Sequence, residues 1–366
     1  MEANAGIEPG ASCRSTDIRW TVAGMAQIRV AVVGTGGIAR QHGAALANNP
    51  HAAIVAAVDI DRDRREQFAA RWGGEPLDRL EPALQRCDAV YVLTPPGFRR
   101  EYAVRAIAAG KHVLCEKPLA ISVDDGAAIV AAAQRQGVIA VTGFNQRYRI
   151  GYGRLHDTAR GGSLGRLHHF WCQRFGMGAG ALGTARGNNW RTAPATLCGM
   201  TVESLSHDID LLRWIMADEV AAVNGATFST ATDLEGFDNN AHALLQLQSG
   251  ASAVINASWS SRIGFNSRGV LGTRGTAFVS GTALGNNGIW CSREFHRKTD
   301  DDEFEVVEML QDDLDDQSYR RQTDDFIQSI ATGHQNPASV ADGHKALQVS
   351  HAILQSAQTG KTVTLD

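Results

Sequence analysis

Three groups of residues in this chain have the types and spacing to do chemistry. The first is Gly34-Thr35-Gly36-Gly37-Ile38-Ala39, which follows an apolar run and opens a helical pattern. Gly34 permits a tight turn. Gly36, with Gly37 beside it, lets the backbone approach a pyrophosphate, and Ala39 is small enough for the helix to pack close to the strand. A phosphate held there meets free N–H groups and the positive end of a helix. Asp59, twenty residues beyond Ala39, is placed to accept both ribose hydroxyls of an adenosine and would repel a 2′-phosphate. The pattern favours NAD, with NADP left open because Arg62 and Arg64 stand nearby. The second group is Lys117, between an apolar run and Pro118, where the chain must turn. The chain has five lysines (Lys111, Lys117, Lys298, Lys345 and Lys361) among 35 basic residues. Where arginine is so preferred, a retained lysine is informative, because a lysine loses its proton readily when partly buried. The third group is Glu203, His207 and Asp210, whose spacing puts them on one face of a predicted helix over Thr201–Ala217, continued by Trp214. Leu205, Ile209, Leu212 and Met216 form a separate apolar face.

These groups need elements to position them. From Ile28 to Thr142, apolar runs alternate with helical stretches. Strands are expected at Ile28–Val33, Ile54–Asp59, Ala89–Thr94, His112–Cys115 and Val138–Thr142. Helices are expected at Ile38–Asn48, Arg62–Arg71, Arg99–Ala109 and Val123–Gln136, the last with a capping-box signal at Ser122 and Asp125. Non-alternating apolar strands imply a parallel sheet covered on both faces, as in a doubly wound Rossmann domain. After Phe144 the texture changes. A glycine-rich stretch over 176–187 reads as a loop. Alternating strands then follow at Val220–Thr230, His242–Gln248, Ser252–Ser260, Gly269–Leu271, Thr276–Ser280 and Gly288–Ser292, and helices near Gln317–Thr332 and Val340–Thr359 close the chain. The expected fold class is α/β: an N-terminal Rossmann sheet plus a C-terminal α+β domain with a large, mostly antiparallel open sheet. The expected division is a disordered extension over 1–26, with Met25 as an alternative start, a dinucleotide-binding domain over 27–143, and a substrate and oligomerisation domain over 144–366.

The bulk numbers fit this division. A length of 366 residues suits two domains. The hydrophobic fraction of 43% and charged fraction of 20% are those of a soluble globular protein. A formal charge of −4 gives no electrostatic reason to expect nucleic acid or an anionic membrane as partner. The six cysteines are scattered without a C-x-x-C pair, which suits reduced thiols in a cytoplasm. No apolar run reaches the roughly 18 residues of a membrane span, and the first two dozen residues lack a signal-peptide pattern. The acidic runs at Asp300–Glu305 and Asp312–Asp316 read as a solvated loop and a helix start. His168-His169 lacks a regularly spaced third ligand, so no metal is expected.

The residues Gly34–Ala39, Asp88-Ala89-Val90 through Thr94-Pro95, Ala109 through Glu116-Lys117-Pro118-Leu119-Ala120, Gly143 through Tyr148, Ser206 through Trp214, Asp342-Gly343 and Gly360 through Val363 together resemble the Gfo/Idh/MocA oxidoreductases. The resemblance runs from about Ile28 to Leu365, and Glu-Lys-Pro is its most specific part. It implies hydride transfer between a nicotinamide and a secondary alcohol carbon of a sugar, sugar derivative or cyclitol, and a homodimer or homotetramer built through the C-terminal sheet. It also implies that Lys117 contacts substrate and nicotinamide, that Glu116 is a cofactor-side or orienting group, that Thr94 and Pro95 border the cofactor, and that His207 lies in the site. The alcohol oxygen is then held by Lys117 and His207, with His207 as general base, Lys117 as a second candidate for the proton relay, and Glu203 touching substrate or orienting the imidazole. Glu203 stands where inositol-dehydrogenase-like members have Asp. Asn145, Arg147, Tyr148, Trp190, Arg191 and Asp210 are candidate pocket residues. The family commonly has Thr-Pro-Asn with His three positions later. This chain has Pro96 and Arg99 there, so one wall of the pocket is expected to differ. Two other readings of the same scaffold are an NAD-dependent glycosidase, which would turn over without net NADH, and a dinucleotide-sensing regulator, for which loss of the Lys117 position would be the sign.

Overall fold

A computed structural model describes residues 26–177, 196–230, 236–284, 294–308 and 317–365. The first half alternates strand and helix: β1 (Ile28–Val33), α1 (Ala39–Ala47), β2 (Ala52–Val58), α2 (Arg62–Trp72), β3 (Glu75–Leu77), α3 (Glu81–Leu84), β4 (Ala89–Val92), α4 (Pro96–Ala108), β5 (His112–Cys115), α5 (Val123–Gln136) and β6 (Ala140–Thr142). The six strands form one parallel sheet in the order β3-β2-β1-β4-β5-β6, the doubly wound arrangement in which ligands bind at the carboxyl ends of the strands where the order reverses. All four residues of β4 are buried, because helices cover both faces. Ile107 of α4 and Ile129 of α5 pack on one face, and Leu46 of α1 and Phe68 of α2 on the other. Local signals set the ends of the helices. Ser122 accepts from the Asp125 amide at 3.1 Å to start α5, and Gly137, at φ +66°, ends it.

The second half begins with a 3₁₀ turn (Asn145–Tyr148) and α6 (Ile150–Arg160). It continues through β7 (Leu167–Met177), α7 (Met200–Glu203), α8 (Ser206–Met216), β8 (Val220–Phe228), β9 (Asn240–Leu247), β10 (Ser252–Ser258), β11 (Ser260–Gly272), β12 (Gly275–Leu284), β13 (Glu294–Thr299), β14 (Glu305–Glu308), α9 (Ser318–Thr332), α10 (Val340–Thr359) and β15 (Val363–Thr364). A nine-stranded sheet runs β14-β13-β12-β11-β7-β10-β9-β8-β15 and is antiparallel except where β7 meets β10. Along β9 burial alternates, with Ala243, Leu245 and Leu247 inside and His242, Leu244 and Gln246 outside, as expected of a sheet with one covered face. The inner face packs on residues of α8 and α10, such as Leu212 and Ile353. Phe326 and Ile327 of α9 sit in the core under β1 and β4, so the last part of the chain returns to the first sheet.

The structure corrects several expected elements. The helix expected over Thr201–Ala217 is two helices, with Ser204 and Leu205 between them. The strand expected at Ser252–Ser260 ends at Ser258, and the short strand at Gly269–Leu271 is the end of the much longer β11. Helix α4 begins at Pro96, three residues earlier than expected, with proline in its first turn, a position where the missing N–H costs nothing. Helix α6 and strands β13 and β14 were not expected, and Glu305 begins β14 where an acidic loop was read. The strand at Gly288–Ser292, the acidic run at Asp312–Asp316, nearly all of the 176–187 loop, the N-terminal extension, Trp190 and Arg191 lie outside the described residues.

Candidate active site

The turn after β1 is built for an anion. Gly34 has φ +89°, and a Cβ on it would lie 2.8 Å from the Leu93 carbonyl carbon and the Thr94 nitrogen, so glycine is required twice over. A Cβ on Gly36 or Gly37 would meet nothing within 4 Å. The amides of Gly36, Gly37 and Ile38 find no acceptor among the described residues, and α1 has no side-chain cap. Open space above three free donors at a helix N-terminus fits a pyrophosphate. Asp59 follows β2; its Oδ2 accepts from the Thr35 amide at 2.8 Å and the Thr35 hydroxyl at 3.0 Å, and its Oδ1 from the Asp61 amide at 2.9 Å. Thr35 thus ties the turn to the carboxylate. Arg62 and Arg64 are held by acids at their own end of α2, Arg62 to Glu66 at 2.7 Å and Arg64 to Asp61 at 3.3 Å. Thr94, buried before Pro95, leaves its hydroxyl without a partner, a polar group that a ligand would satisfy.

Beyond β5 the chain turns through Glu116, Lys117 and a cis Lys117–Pro118 bond. Glu116 is buried. Its Oε2 accepts from the Lys117 amide at 2.9 Å, and its Oε1 meets His42 Nε2 at 3.0 Å. Burial pushes this carboxyl up, but the His42 hydrogen bond and charge, with Arg99 and Lys117, outweigh it and hold it below its ordinary value. Arg99, one of the two departures from the family pattern, is buried beneath the turn. Its Nε donates to the Thr94 carbonyl at 2.9 Å and its Nη1 to the Pro118 carbonyl, strapping the loops after β4 and β5 together. Arginine holds this position because its fork reaches two carbonyls at once.

Lys117 Nζ donates to the Glu203 carbonyl at 3.2 Å, which brings the turn to the break between α7 and α8. The break has a tertiary cause. In a continuous helix the Glu203 carbonyl would accept from the His207 amide. Here it receives Lys117 Nζ and the Ser206 hydroxyl, while the His207 amide bonds the Ser204 carbonyl and Arg174 Nη1 donates to that same carbonyl at 2.9 Å. Side chains from other elements have taken the acceptors that would have propagated the helix. His207, buried, lies 6.1 Å from the Phe144 ring, and its Nδ1 has no partner among the described residues. Burial, then the charges of Lys117, Arg174, Arg149 and Arg268, push its imidazole well below the ordinary histidine value, so it is neutral at neutral pH. Burial likewise lowers the Lys117 ammonium, with Glu203 and Glu116 opposing and Arg174 and Arg99 assisting.

Under His207, Asp208 is clamped between two strands. Arg174 of β7 donates to one carboxylate oxygen at 2.8 Å and Arg268 of β11 to the other at 2.6 Å. Arg268 also donates to the Tyr152 hydroxyl at 2.6 Å. Burial raises the Asp208 carboxyl, but the two guanidiniums pull it below its ordinary value. Sequence reasoning missed Asp208, Arg174, Arg268, His42 and Thr35. The only available signal was charge at inward strand positions, and the partners are 34 and 60 residues apart.

Asp210 and Arg147 are brought to each other. Arg147 donates through Nε at 2.8 Å and through Nη2 at 2.5 Å to the two Asp210 oxygens, with both side chains buried. Trp214, on the same helix, stacks on His156 at 4.0 Å. Asn145 donates to Ser318 at 2.9 Å and Tyr148 to Asp325 at 2.5 Å, joining the 3₁₀ turn to α9. The structure therefore gathers Glu116, Lys117, Glu203 and His207 beyond the carboxyl ends of the first sheet, and gives Arg147, Asp210 and Asn145 partners in the packing around them.

Two family models match. One, described as an oxidoreductase family with an NAD-binding Rossmann fold, matches residues 28–144. The other, the C-terminal domain of the same family, matches residues 152–278. Myo-inositol 2-dehydrogenase of Thermotoga maritima is 26% identical, covering 93% of this chain and 99% of that protein. An uncharacterised oxidoreductase of Bacillus subtilis, YrbE, is 26% identical over 93% of this chain and 97% of its own. Among solved structures, levoglucosan dehydrogenase in complex with NADH and L-sorbose superposes with a TM-score of 0.83 at 19% identity, covering 93% of this chain and 100% of that one. The aldose–aldose oxidoreductase of Caulobacter crescentus superposes with a TM-score of 0.79 at 22% identity, with the same coverage.

Proposed function

This chain belongs to the Gfo/Idh/MocA family of NAD-binding oxidoreductases, and from that premise we propose that it oxidises or reduces a secondary alcohol carbon of a sugar, sugar derivative or cyclitol. Lys117 and His207 are the catalytic residues of this proposal. The observation that carries it is the approach of Lys117 Nζ to the Glu203 carbonyl, 3.2 Å away at the helix break that begins the turn to His207. An ammonium and a neutral imidazole there have complementary tasks.

When bound, the nicotinamide supplies a hydride acceptor or donor. In the oxidative direction, the Lys117 ammonium donates a hydrogen bond to the alcohol oxygen. His207, neutral, takes the hydroxyl proton as the C–H hydride leaves, and a carbonyl remains. Reduction runs the same path backwards, with protonated His207 returning the proton. Lys117 balances the growing negative charge on oxygen. Glu203 sustains that charge, and Arg174 and Arg268, tied to Asp208, keep the imidazole neutral. The free amides of Gly36, Gly37 and Ile38, together with Asp59 and Thr94, are proposed to hold the dinucleotide, and Asp59 favours NAD. Inositol and levoglucosan dehydrogenases among the similar proteins support a polyhydroxylated substrate. The buried free thiols Cys87, Cys115, Cys172 and Cys198 support a cytoplasmic location.

The experiment is a panel of sugars, inositols and their keto forms, incubated with NAD or NADP while the reduced cofactor is followed by its absorbance. One member should give stoichiometric change with NAD. Lys117→Met should then lower kcat by roughly 100-fold or more while NADH still quenches protein fluorescence. Undiminished turnover in that variant overturns the assignment of Lys117. Sugar release from a glycoside without net NADH would favour the glycosidase reading.

A further inference from the structure

The two carboxylate oxygens of Glu116 face different elements. Oε2 accepts from the backbone amide of Lys117 at 2.9 Å, and Oε1 lies 3.0 Å from His42 Nε2. His42 is fully buried on α1, in the turn that follows the three free amides of the cradle. Its ring packs edge-on to Tyr91 at 5.5 Å and to Tyr319 at 5.1 Å. Its Nδ1 has no partner among the described residues, so the bond to Glu116 is the one polar contact that orients the ring. Gly143 closes over the pair; a Cβ there would come within 2.9 Å of Glu116 Oε1. The backbone at Gly143 therefore closes one side of the carboxylate.

The geometry points to His42 as a positioning residue that, through Glu116, joins the helix carrying the phosphate cradle to the backbone of Lys117. Events at the pyrophosphate end of the cofactor site are thereby transmitted to the amine at the other end. This rests on the reading of α1 and Lys117 given above. A buried hydrogen bond between a carboxylate and an imidazole is a stiff connection, because either partner alone would be left unsatisfied in a low-dielectric interior. Glu116 is also one of two carboxylates that sustain the Lys117 charge. The other is Glu203 on α7, and Arg174 from β7 and Arg99 from α4 work against both; His207 on α8 adjoins the amine. Without His42, Glu116 would lose the hydrogen bond that most opposes its burial, and its support of Lys117 would weaken.

The link can be read without a substrate. Reductive methylation of the full chain with [13C]formaldehyde labels few lysines, and Lys117→Arg identifies the Lys117 signal. Two results are expected. ADP-ribose, which fills the cradle but has no nicotinamide ring, should shift the Lys117 signal in the native chain and not in His42→Leu. The Lys117 signal should also titrate at lower pH in His42→Leu, with His42→Gln, which keeps a donor, restoring part of both effects. With the panel substrate, kcat should fall by about tenfold or more in His42→Leu. If His42→Leu does not fold, Glu116→Gln removes the same charge at constant shape and should lower the Lys117 titration likewise. A folded His42→Leu whose Lys117 signal responds to ADP-ribose and to pH as the native chain does overturns the inference. Failure of the proposed function would look different: no panel member turned over by the native chain, with the Lys117 response to ADP-ribose intact.

Discussion

His207 is neutral because burial and four neighbouring cations oppose a fifth charge, and this has consequences for pH dependence. A base that acts in its neutral form is lost as pH falls through its pKa. Since that value lies well below the ordinary 6.5, oxidation should persist at pH values where an exposed histidine would already be protonated. The acid limb of kcat/KM is expected below pH 6.5, and His207→Gln should remove that limb while lowering kcat by roughly 100-fold. An acid limb above the ordinary histidine value would contradict the role. The same shift acts on stability with a definite sign. Below pH 6.5 the unfolded chain protonates this histidine while the native one does not, so the unfolded state binds more protons and stability falls as pH falls.

At the scale of elements, the turn after β1 shows how two glycines in one motif answer different demands. Gly34 is constrained by the protein, through its positive φ and the backbone of Leu93 and Thr94, whereas Gly36 is constrained only by what is to lie above it. Gly34→Ala should therefore destabilise the fold, by about 1–3 kcal/mol from backbone strain alone. Gly36→Ala should leave the melting temperature nearly unchanged and weaken NADH binding by roughly tenfold or more. Calorimetry together with NADH fluorescence titration separates the two, and equal effects of both substitutions on stability would argue that the cradle is only a tight turn. The split between α7 and α8 is the opposite case. Periodicity suggests one helix, and local propensity over Thr201–Ala217 offers no breaker. The acceptors at Glu203 and Ser204 were taken by Lys117 and Arg174, which lie 86 and 30 residues away in sequence.

For the whole molecule, the notable surface is the outer face of the nine-stranded sheet. Strand register lines up Leu244, Val254, Trp171, Gly269, Phe278, His296 and Val306 in one row across seven strands. Gly269 is there because a Cβ would run into the Trp171 ring at 2.4 Å, so Trp171 lies flat over β11. Leu244 is 53% exposed and Val254 37%. A largely apolar row, partly exposed among the described residues, is characteristic of an association surface, and we propose that it pairs with a second copy of this chain. Leu244→Lys combined with Val254→Glu should reduce the mass measured by light scattering to that of one chain while the fold, by circular dichroism, remains. An unchanged mass would place any oligomer contact elsewhere.

Much of this protein was legible in its residues because the determinants are local. A strand, a glycine turn and a helix within a dozen positions specify the cradle. Non-alternating and alternating apolar runs separate the parallel sheet from the open one, and Glu-Lys-Pro after a strand marks the turn that carries the amine. What the tertiary structure decided depends on partners distant in sequence. That Arg147 and Asp210 form a buried ion pair, that Arg99 straps two loops together, and that His42 meets Glu116 could not be read from spacing. A buried charge must find its counter-charge or carbonyl wherever the fold presents one, and no spacing rule along the chain encodes that meeting.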